Sequence, residues 1–153
     1  MTINFGDGTT LDSATISAGK VLQVVEGRKT DKFATTSSSL VDVTSLSVAI
    51  TPAASSNKVL VRAVCSMGMG GGGIDGFIVL MRGSTAIKVE QCTRMGGSEQ
   101  NYTFVMEKLD SPSTTSSTTY KVQAKVSSNE LFVNRDGSND QLGESTITAL
   151  EID

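Results

Sequence analysis

The sequence predicts an all-β fold: an antiparallel β-sandwich with jelly-roll topology and a short extended N-terminal arm. Ser and Thr make up about a quarter of the 153 residues, and Gly adds 15 more. Thr favours strands because it is β-branched, whereas Ser and Gly favour turns. Short apolar segments are separated by turn residues, and none has the i, i+3, i+4, i+7 spacing of an amphipathic helix. We therefore expect almost no helix.

About nine segments have the character of strands. The clearest is residues 120–126, where apolar residues alternate with Lys and Gln. A period of two places one set in the interior and the other in water. The other segments are residues 21–25, 46–50, 58–65, 77–81, 86–89, 102–105, 131–133 and 146–152. From this alternation we expect six side chains to face the core: Val59, Val61, Ala63, Val122, Ala124 and Val126.

Two of these segments carry more apolar residues than one sandwich interior needs. Residues 59–65 and 77–81 are apolar on both faces. A strand in a two-layer sandwich turns only one face to the shared core. The surplus therefore predicts a subunit interface.

A glycine-rich stretch joins these two segments, with Met67 and Met69 close to the four glycines of residues 70–73. It lacks the Gly-Lys-Ser/Thr ending of a phosphate-binding loop. Two interpretations stay open. One is a subunit contact that involves Met67, Met69, Gly70 and Gly73, and the other is a plain mobile turn.

Residues 1–19 differ from the sandwich domain, for which we expect residues 20–153. They are small and polar, with four isolated apolar anchors at Ile3, Phe5, Leu11 and Ile16. So few apolar side chains do not offset the entropy of ordering, but they can bind grooves on a partner. Asp7-Gly8 predicts a turn that folds the segment into a hairpin or adds a strand to a neighbouring sheet. The segment is either an attachment arm or a frayed terminus.

Charge and hydropathy disfavour two classes of partner. The net charge is -3, and the 13 basic residues are scattered. Nucleic-acid binding depends on clustered Lys and Arg, so we expect no nucleic-acid partner. The longest apolar run, residues 77–81, is too short to cross a bilayer, so we expect no membrane insertion. The first residues do not resemble a signal peptide, and we expect synthesis in a host cytoplasm.

The residue types favour a protein without catalytic function. The chain has no His, which removes histidine bases and the commonest transition-metal ligand. Cys65 and Cys92 are too few for a zinc site without His, and they form either a disulfide or two buried thiols. We expect no enzyme activity, no metal and no cofactor.

Two sets of acidic residues are candidate sites. Residues 134–140 resemble a calcium loop but lack its closing Glu, and an Asp-Gly turn explains them equally. A carboxylate pair for glycoside hydrolysis requires convergence of two acidic residues that lie in no motif. The candidates for such a pair are Asp75, Glu90, Glu107 and Asp110.

Eight motifs are spread over nearly the whole chain: Asn4–Thr9, Gly19–Val25, Thr30–Ser37, Val41–Pro52, Asn57–Val61, Leu109–Pro112, Thr118–Gln123 and Ser145–Ile152. Together they resemble a family of small virion proteins from tailed phages of aquatic bacteria. The first motif is similar to the opening of many phage fibre-associated proteins. The resemblance implies a structural protein located in the virion, with other capsid or tail proteins as partners. It transfers no functional residue.

A looser similarity concerns architecture. A hairpin over Leu80–Ile87 and the strands Thr118–Val126 and Ser145–Ile152 resemble those of trimeric jelly rolls of the tumour-necrosis-factor and complement globular-head type. This likeness implies a homotrimer with inner sheets around a threefold axis. Two functions follow as alternatives: a surface decoration or fibre subunit of the virion, or a receptor-binding module for a host cell-surface glycan or protein.

Overall fold

A computed structural model describes residues 2–4, 6–8, 10–12, 19–70, 75–93, 101–141 and 143–153. Within these ranges the regular structure consists of strands, and the all-β prediction is confirmed. The strands are β1 (Thr2–Asn4), β2 (Thr10–Asp12), β3 (Val21–Lys29), β4 (Phe33–Thr35), β5 (Val41–Ile50), β6 (Lys58–Gly70), β7 (Asp75–Arg82), β8 (Thr85–Thr93), β9 (Tyr102–Asp110), β10 (Thr118–Val126), β11 (Glu130–Val133) and β12 (Ser145–Ile152).

Two antiparallel sheets form the sandwich. The six-stranded sheet has the order β3-β12-β6-β11-β4, with β9 on the other edge of β6, and the four-stranded sheet has the order β5-β10-β7-β8. β12 and β11 pair with successive lengths of the same edge of β6. Eight main strands, β3, β5, β6, β7, β8, β9, β10 and β12, correspond in chain order to strands B to I of a jelly roll. In these letters the two sheets have the orders B-I-D-G and C-H-E-F. This is the order of a jelly roll, as predicted.

The core lies between the two sheets, and the period of two explains which residues form it. All six side chains predicted to face inward are fully buried: Val59, Val61, Ala63, Val122, Ala124 and Val126. Leu46 and Ile50 from β5 join them, together with Ile147 and Ala149 from β12. The predicted alternation is therefore confirmed in both sheets.

The connections between strands divide the sandwich into two ends. At the arm end, Gly19 and Lys20 lead into β3, and the short connections 51–57, 83–84 and 111–117 lie beside them. At the opposite loop end lie the long connections 30–40 and 127–144, which contain β4 and β11. The described parts of β6 and β8 end at the loop end, and those of β7 and β9 begin there.

Strand β6 extends further than the sequence predicts. It continues through Gly70 rather than ending at Cys65, so part of the expected glycine loop is strand. Gly68 pairs with Phe132 of β11, and a Cβ on Gly70 would lie 3.9 Å from the Phe132 ring. A Cβ at Gly70 would therefore be in ordinary van der Waals contact with this buried aromatic side chain. Strand β4, which pairs with β11, was also missed.

The N-terminal segment forms a hairpin. β1 pairs antiparallel with β2, with Thr2 opposite Asp12, and the two strands make a separate two-stranded sheet. Gly8 has φ of 85°, a left-handed conformation that Gly adopts without steric cost. Of the four predicted anchors, Ile3 and Leu11 are paired in this hairpin, whereas Phe5 and Ile16 lie outside the described residues.

Candidate functional site

The outer face of the six-stranded sheet carries an exposed apolar surface. Strand register aligns Val24, Leu150, Leu60 and Leu109 in one row across β3, β12, β6 and β9. Val24 is 56 % exposed and Leu109 is 48 % exposed, while Leu60 and Leu150 are half-buried between them. Including the neighbours that the same pairings place beside this row, the apolar face consists of Val21, Val24, Leu60, Val105, Leu109 and Leu150.

A charged row runs through the apolar face. Glu26, Thr148, Arg62 and Glu107 are aligned by the same pairings. The three charged side chains of this row are exposed, and the ion pairs between described residues include none of them. The face therefore offers both signs of charge beside apolar side chains.

The outer face of the four-stranded sheet is different, because side chains of β10 cover its apolar residues on β7. Val79 and Met81 of β7 point outward but are buried, and both belong to the predicted apolar surplus. Lys121 and Gln123 lie directly opposite them on β10, and both bind Asp42 at distances of 2.8 Å and 2.7 Å. Their stems cover apolar surface while their polar ends reach solvent. Of the two strands that are apolar on both faces, β6 and β7, only β6 contributes to an exposed apolar face.

A buried polar cluster lies at the arm end. Asp110 accepts two hydrogen bonds of 2.9 Å from Nη1 of Arg82 and one of 2.7 Å from the hydroxyl of Tyr120. Burial and the bond to Asp110 raise the pKa of Tyr120. Tyr120 is fully buried, so the cluster links the core to the connection 111–117. Its contacts lie within the fold.

Glu151 forms the centre of a second polar cluster at the same end. Its carboxylate accepts hydrogen bonds from Nε2 of Gln23 at 2.5 Å, from Nδ2 of Asn57 at 2.6 Å and from the backbone N–H of Ala53 at 2.7 Å. These bonds hold the pKa of Glu151 below its ordinary value. They join β3, β12 and the connection between β5 and β6.

We expect this cluster to make stability depend on pH. Because the pKa of Glu151 is lowered on folding, its contribution is present above pH 4.5 and is lost as pH falls. Glu151→Gln should lower the melting temperature at pH 7 and flatten its decline below pH 4.5, measured by circular dichroism. Asp31 and Asp42 also have lowered pKa values but are unchanged in the variant, so they cancel in the comparison. If the melting temperatures of the wild type and Glu151→Gln fall in parallel as pH is lowered, Glu151 does not have this role.

The predicted interface loop requires a correction. Met67 and Met69 are fully buried in the core, so their side chains pack the sandwich and do not reach a partner. A Cβ on Gly76 would lie 2.6 Å from the sulfur of Met69, which explains why the chain has Gly there. Gly70 is half-buried at the end of β6, and Gly73 lies outside the described residues.

The two cysteines are free thiols. Cys65 of β6 and Cys92 of β8 are buried, and burial raises the pKa of each thiol to about 12. Of the alternatives that the sequence leaves open, the structure contains the pair of buried thiols.

The structure does not bring the acidic candidates together. Asp75 begins β7 at the loop end, Glu90 pairs with Lys88, Glu107 lies on the apolar face, and Asp110 binds Arg82 at the arm end. In residues 134–140, the backbone N–H of Asp140 donates to Oδ1 of Asp136 at 2.8 Å, so this carboxylate closes the loop. The described residues contain no group of three acidic or Cys side chains that could hold a metal ion.

The chain is remotely similar to several solved structures. No family model and no curated protein matches the chain. A structure of infectious bursal disease virus, Gt strain, is 13% identical with a TM-score of 0.46, and the match covers 85% of this chain and 39% of that one. A VP2 subviral particle of the same virus is 15% identical with a TM-score of 0.42, covering 94% and 41%. A Bacillus endospore appendage pilus is 12% identical with a TM-score of 0.39, covering 89% and 96%. The chain spans about two fifths of the viral chains.

No helix in the described ranges is long and apolar enough to span a membrane.

Proposed function

We propose that this chain is a non-enzymatic structural subunit of a virion, and that it is a surface decoration or fibre subunit of a tailed phage. In this proposal three copies of the chain form a homotrimer. The N-terminal segment, residues 1–19, attaches it to the particle or to a preceding fibre segment. The observation that carries the proposal is that β1 and β2 form a sheet of their own, separate from the complete jelly roll. A domain with a full set of paired strands does not need this hairpin for its core.

The two ends of the sandwich support attachment through the arm end, with the loop end exposed. The arm enters at the end with short connections, so attachment there leaves the loop end directed away from the particle. The backbone N–H of Asp153 donates to the carbonyl of Lys20 at 3.0 Å, which fixes the chain where it leaves the arm. The domain thus has one end for attachment and one end for exposure.

The buried charges also support a structural role. Lys29 is fully buried and binds Asp31 at 2.9 Å and Thr44 at 3.3 Å. Asp110 and Glu151 are likewise occupied by hydrogen bonds within the fold. A catalytic acid or base instead requires access to a substrate. These three groups stabilise the sandwich.

Deletion of residues 2–18 tests the attachment role. We expect the truncated domain to keep the wild-type melting temperature, because the hairpin lies outside both sheets of the sandwich. We also expect it to be absent from particles when it replaces the wild-type chain during infection, as measured by quantitative mass spectrometry of purified virions. Incorporation at the normal copy number would show that the arm is not the anchor.

A receptor-binding module is the second candidate, and the loop end favours it. A shallow hollow there, of about 380 Å³, is lined by Lys32, Phe33, Ala34, Arg135 and Asn139. Its polar rim suits a weak contact with a host cell-surface glycan, which three copies would strengthen through avidity. Binding of the purified protein to host cells, abolished by Lys32→Ala, would favour this function over a passive one.

A further inference from the structure

We infer that the hollow at the loop end binds a sugar residue that carries an anionic group, with the ammonium group of Lys32 facing the negative charge. This inference rests on the receptor-binding candidate above and names the class of glycan that such a module would recognise. The hollow is lined by two cations, an aromatic ring and a carboxamide, and no acidic side chain lines it: the residues are Lys32, Arg135, Phe33 and Asn139, with Ala34 beside them.

The walls of the hollow are held in place before any ligand binds. The two long connections of the loop end are joined by hydrogen bonds from side chains of one to the backbone of the other. Nδ2 of the fully buried Asn134 donates to the carbonyls of Lys29 and Asp31, at 2.9 Å and 3.1 Å. The side chain of Gln141 donates to the carbonyl of Thr30. A preformed site loses less conformational entropy on binding than a site that must first be ordered.

Lys32 supplies a positive charge that the fold leaves unbalanced. Its Nζ donates to the carbonyl of Asn139 at 2.9 Å, and the ion pairs between described residues do not include it. An ammonium group has three donors, so two remain for a ligand. Arg135 is buried instead, with its guanidinium 5.0 Å from the centre of the Phe132 ring and paired with Glu130. The anionic group of a ligand is therefore favoured beside Lys32.

The size and the apolar side of the hollow fit a sugar ring. Its volume of about 380 Å³ is near the lower end of the range for small-molecule sites, about 300–1,000 Å³. Phe33 is half-buried and packs against the core, and Nζ of Lys29 lies 5.8 Å from the centre of its ring. The ring is thus fixed from the core side and offers apolar surface to the hollow. Apolar surface beside a few polar groups that fix orientation is typical of small-ligand sites.

The surrounding charges disfavour a long polyanion. Asp31, Asp136 and Asp140 are next to lining residues in the chain. Asp31 is paired with Lys29, and Asp136 accepts the backbone N–H of Asp140. These carboxylates repel a nucleic acid, which presents many phosphates at once. A sugar with one anionic group places that group against Lys32 alone. The same carboxylates keep the affinity of a single site low and dependent on salt.

Matched pairs of sugars test the preference for charge. The methyl glycosides of glucuronic, galacturonic and mannuronic acid each differ from the neutral methyl hexoside by a carboxylate in place of the hydroxymethyl group. We expect the full chain to bind at least one of these acids about tenfold more tightly than its neutral partner, as a charge-assisted hydrogen bond implies. Dissociation constants come from nuclear magnetic resonance titration. Hexose phosphates and inorganic phosphate, titrated in parallel, distinguish a carboxylate from a phosphate and a sugar from a free anion.

A lysine at the opposite end of the sandwich provides the control variant. Lys32→Gln should bind the acid and its neutral partner equally, with the fold checked by circular dichroism. Lys58→Gln removes the same charge from an exposed residue at the arm end and should keep the wild-type preference.

Two results would overturn the inference: equal affinity of the wild type for acids, hexose phosphates and neutral sugars, or binding of inorganic phosphate as tight as that of any sugar. If the wild type still binds host cells in either case, receptor binding stands and only the class of glycan is wrong. If the wild type binds neither host cells nor any of these sugars, the receptor-binding candidate itself is wrong.

Discussion

Val122→Asp is expected to abolish folding. Val122 lies at the centre of β10, is fully buried, and faces the core between Leu80 on the neighbouring strand and the opposite sheet. An unpaired carboxylate there costs several kcal/mol, because burial removes its hydration without supplying a partner. Domains of this size are stabilised by only about 5–15 kcal/mol in total. Circular dichroism should show an unfolded chain, or a melting temperature lowered by tens of degrees.

The neighbouring position provides the control. Lys121 points to the opposite face and forms an exposed ion pair with Asp42. Lys121→Gln should change the free energy of unfolding by about 1 kcal/mol or less, as expected for a surface pair. Lys121→Asp would be a poorer control because it would place two carboxylates together. Equal melting temperatures for Val122→Asp and Lys121→Gln would contradict the inward assignment.

Gly27→Ala is expected to have the second largest effect. Gly27 lies on β3, where this edge of the six-stranded sheet packs against β5. A Cβ there would lie 2.4 Å from the backbone oxygen of Ser47 and 3.1 Å from Val48 Cγ1. Backbone cannot rotate away as a side chain does, so the two sheets must separate locally. Overpacking of this kind costs about 1–3 kcal/mol or more, which chemical denaturation would measure.

Gly70→Ala is the matched control for this prediction. Gly70 is also a strand glycine, but the nearest atoms to its would-be Cβ lie at 3.8 Å, an ordinary van der Waals distance. The substitution should therefore be neutral or slightly stabilising, since Ala restricts the unfolded chain more than Gly does. If Gly27→Ala is as stable as Gly70→Ala, then β3 and β5 do not pack as described.

The strands could be predicted from the sequence because their signal is local. Residues 120–126 alternate strictly, and one buried face explains every second side chain. β4 has only three residues, and its single large apolar side chain, Phe33, gives no alternation to recognise. β6 extends past Cys65 because Gly68 and Gly70 pair with β11, whose partner residues Phe132 and Glu130 are 64 and 60 residues away in sequence. Such pairing is not encoded in the segment itself.

The exposed apolar face could be anticipated from the sequence but not located. The sequence shows that residues 59–65 and 77–81 carry surplus apolar side chains, yet it does not show what covers them. Which apolar side chains are covered depends on strand register. Lys121 and Gln123 lie opposite Met81 and Val79 because of the register in which β10 pairs with β7. Similarly, Val24 and Leu109 come from distant segments and share a row only through β12 and β6.

Cryo-electron microscopy of purified particles tests the proposed function most directly. The account predicts jelly-roll density in threefold clusters on the particle surface, with the arm end toward the particle and the loop end outward. Particles that lack this density, or that carry it as isolated single copies attached through the loop end, would contradict the account.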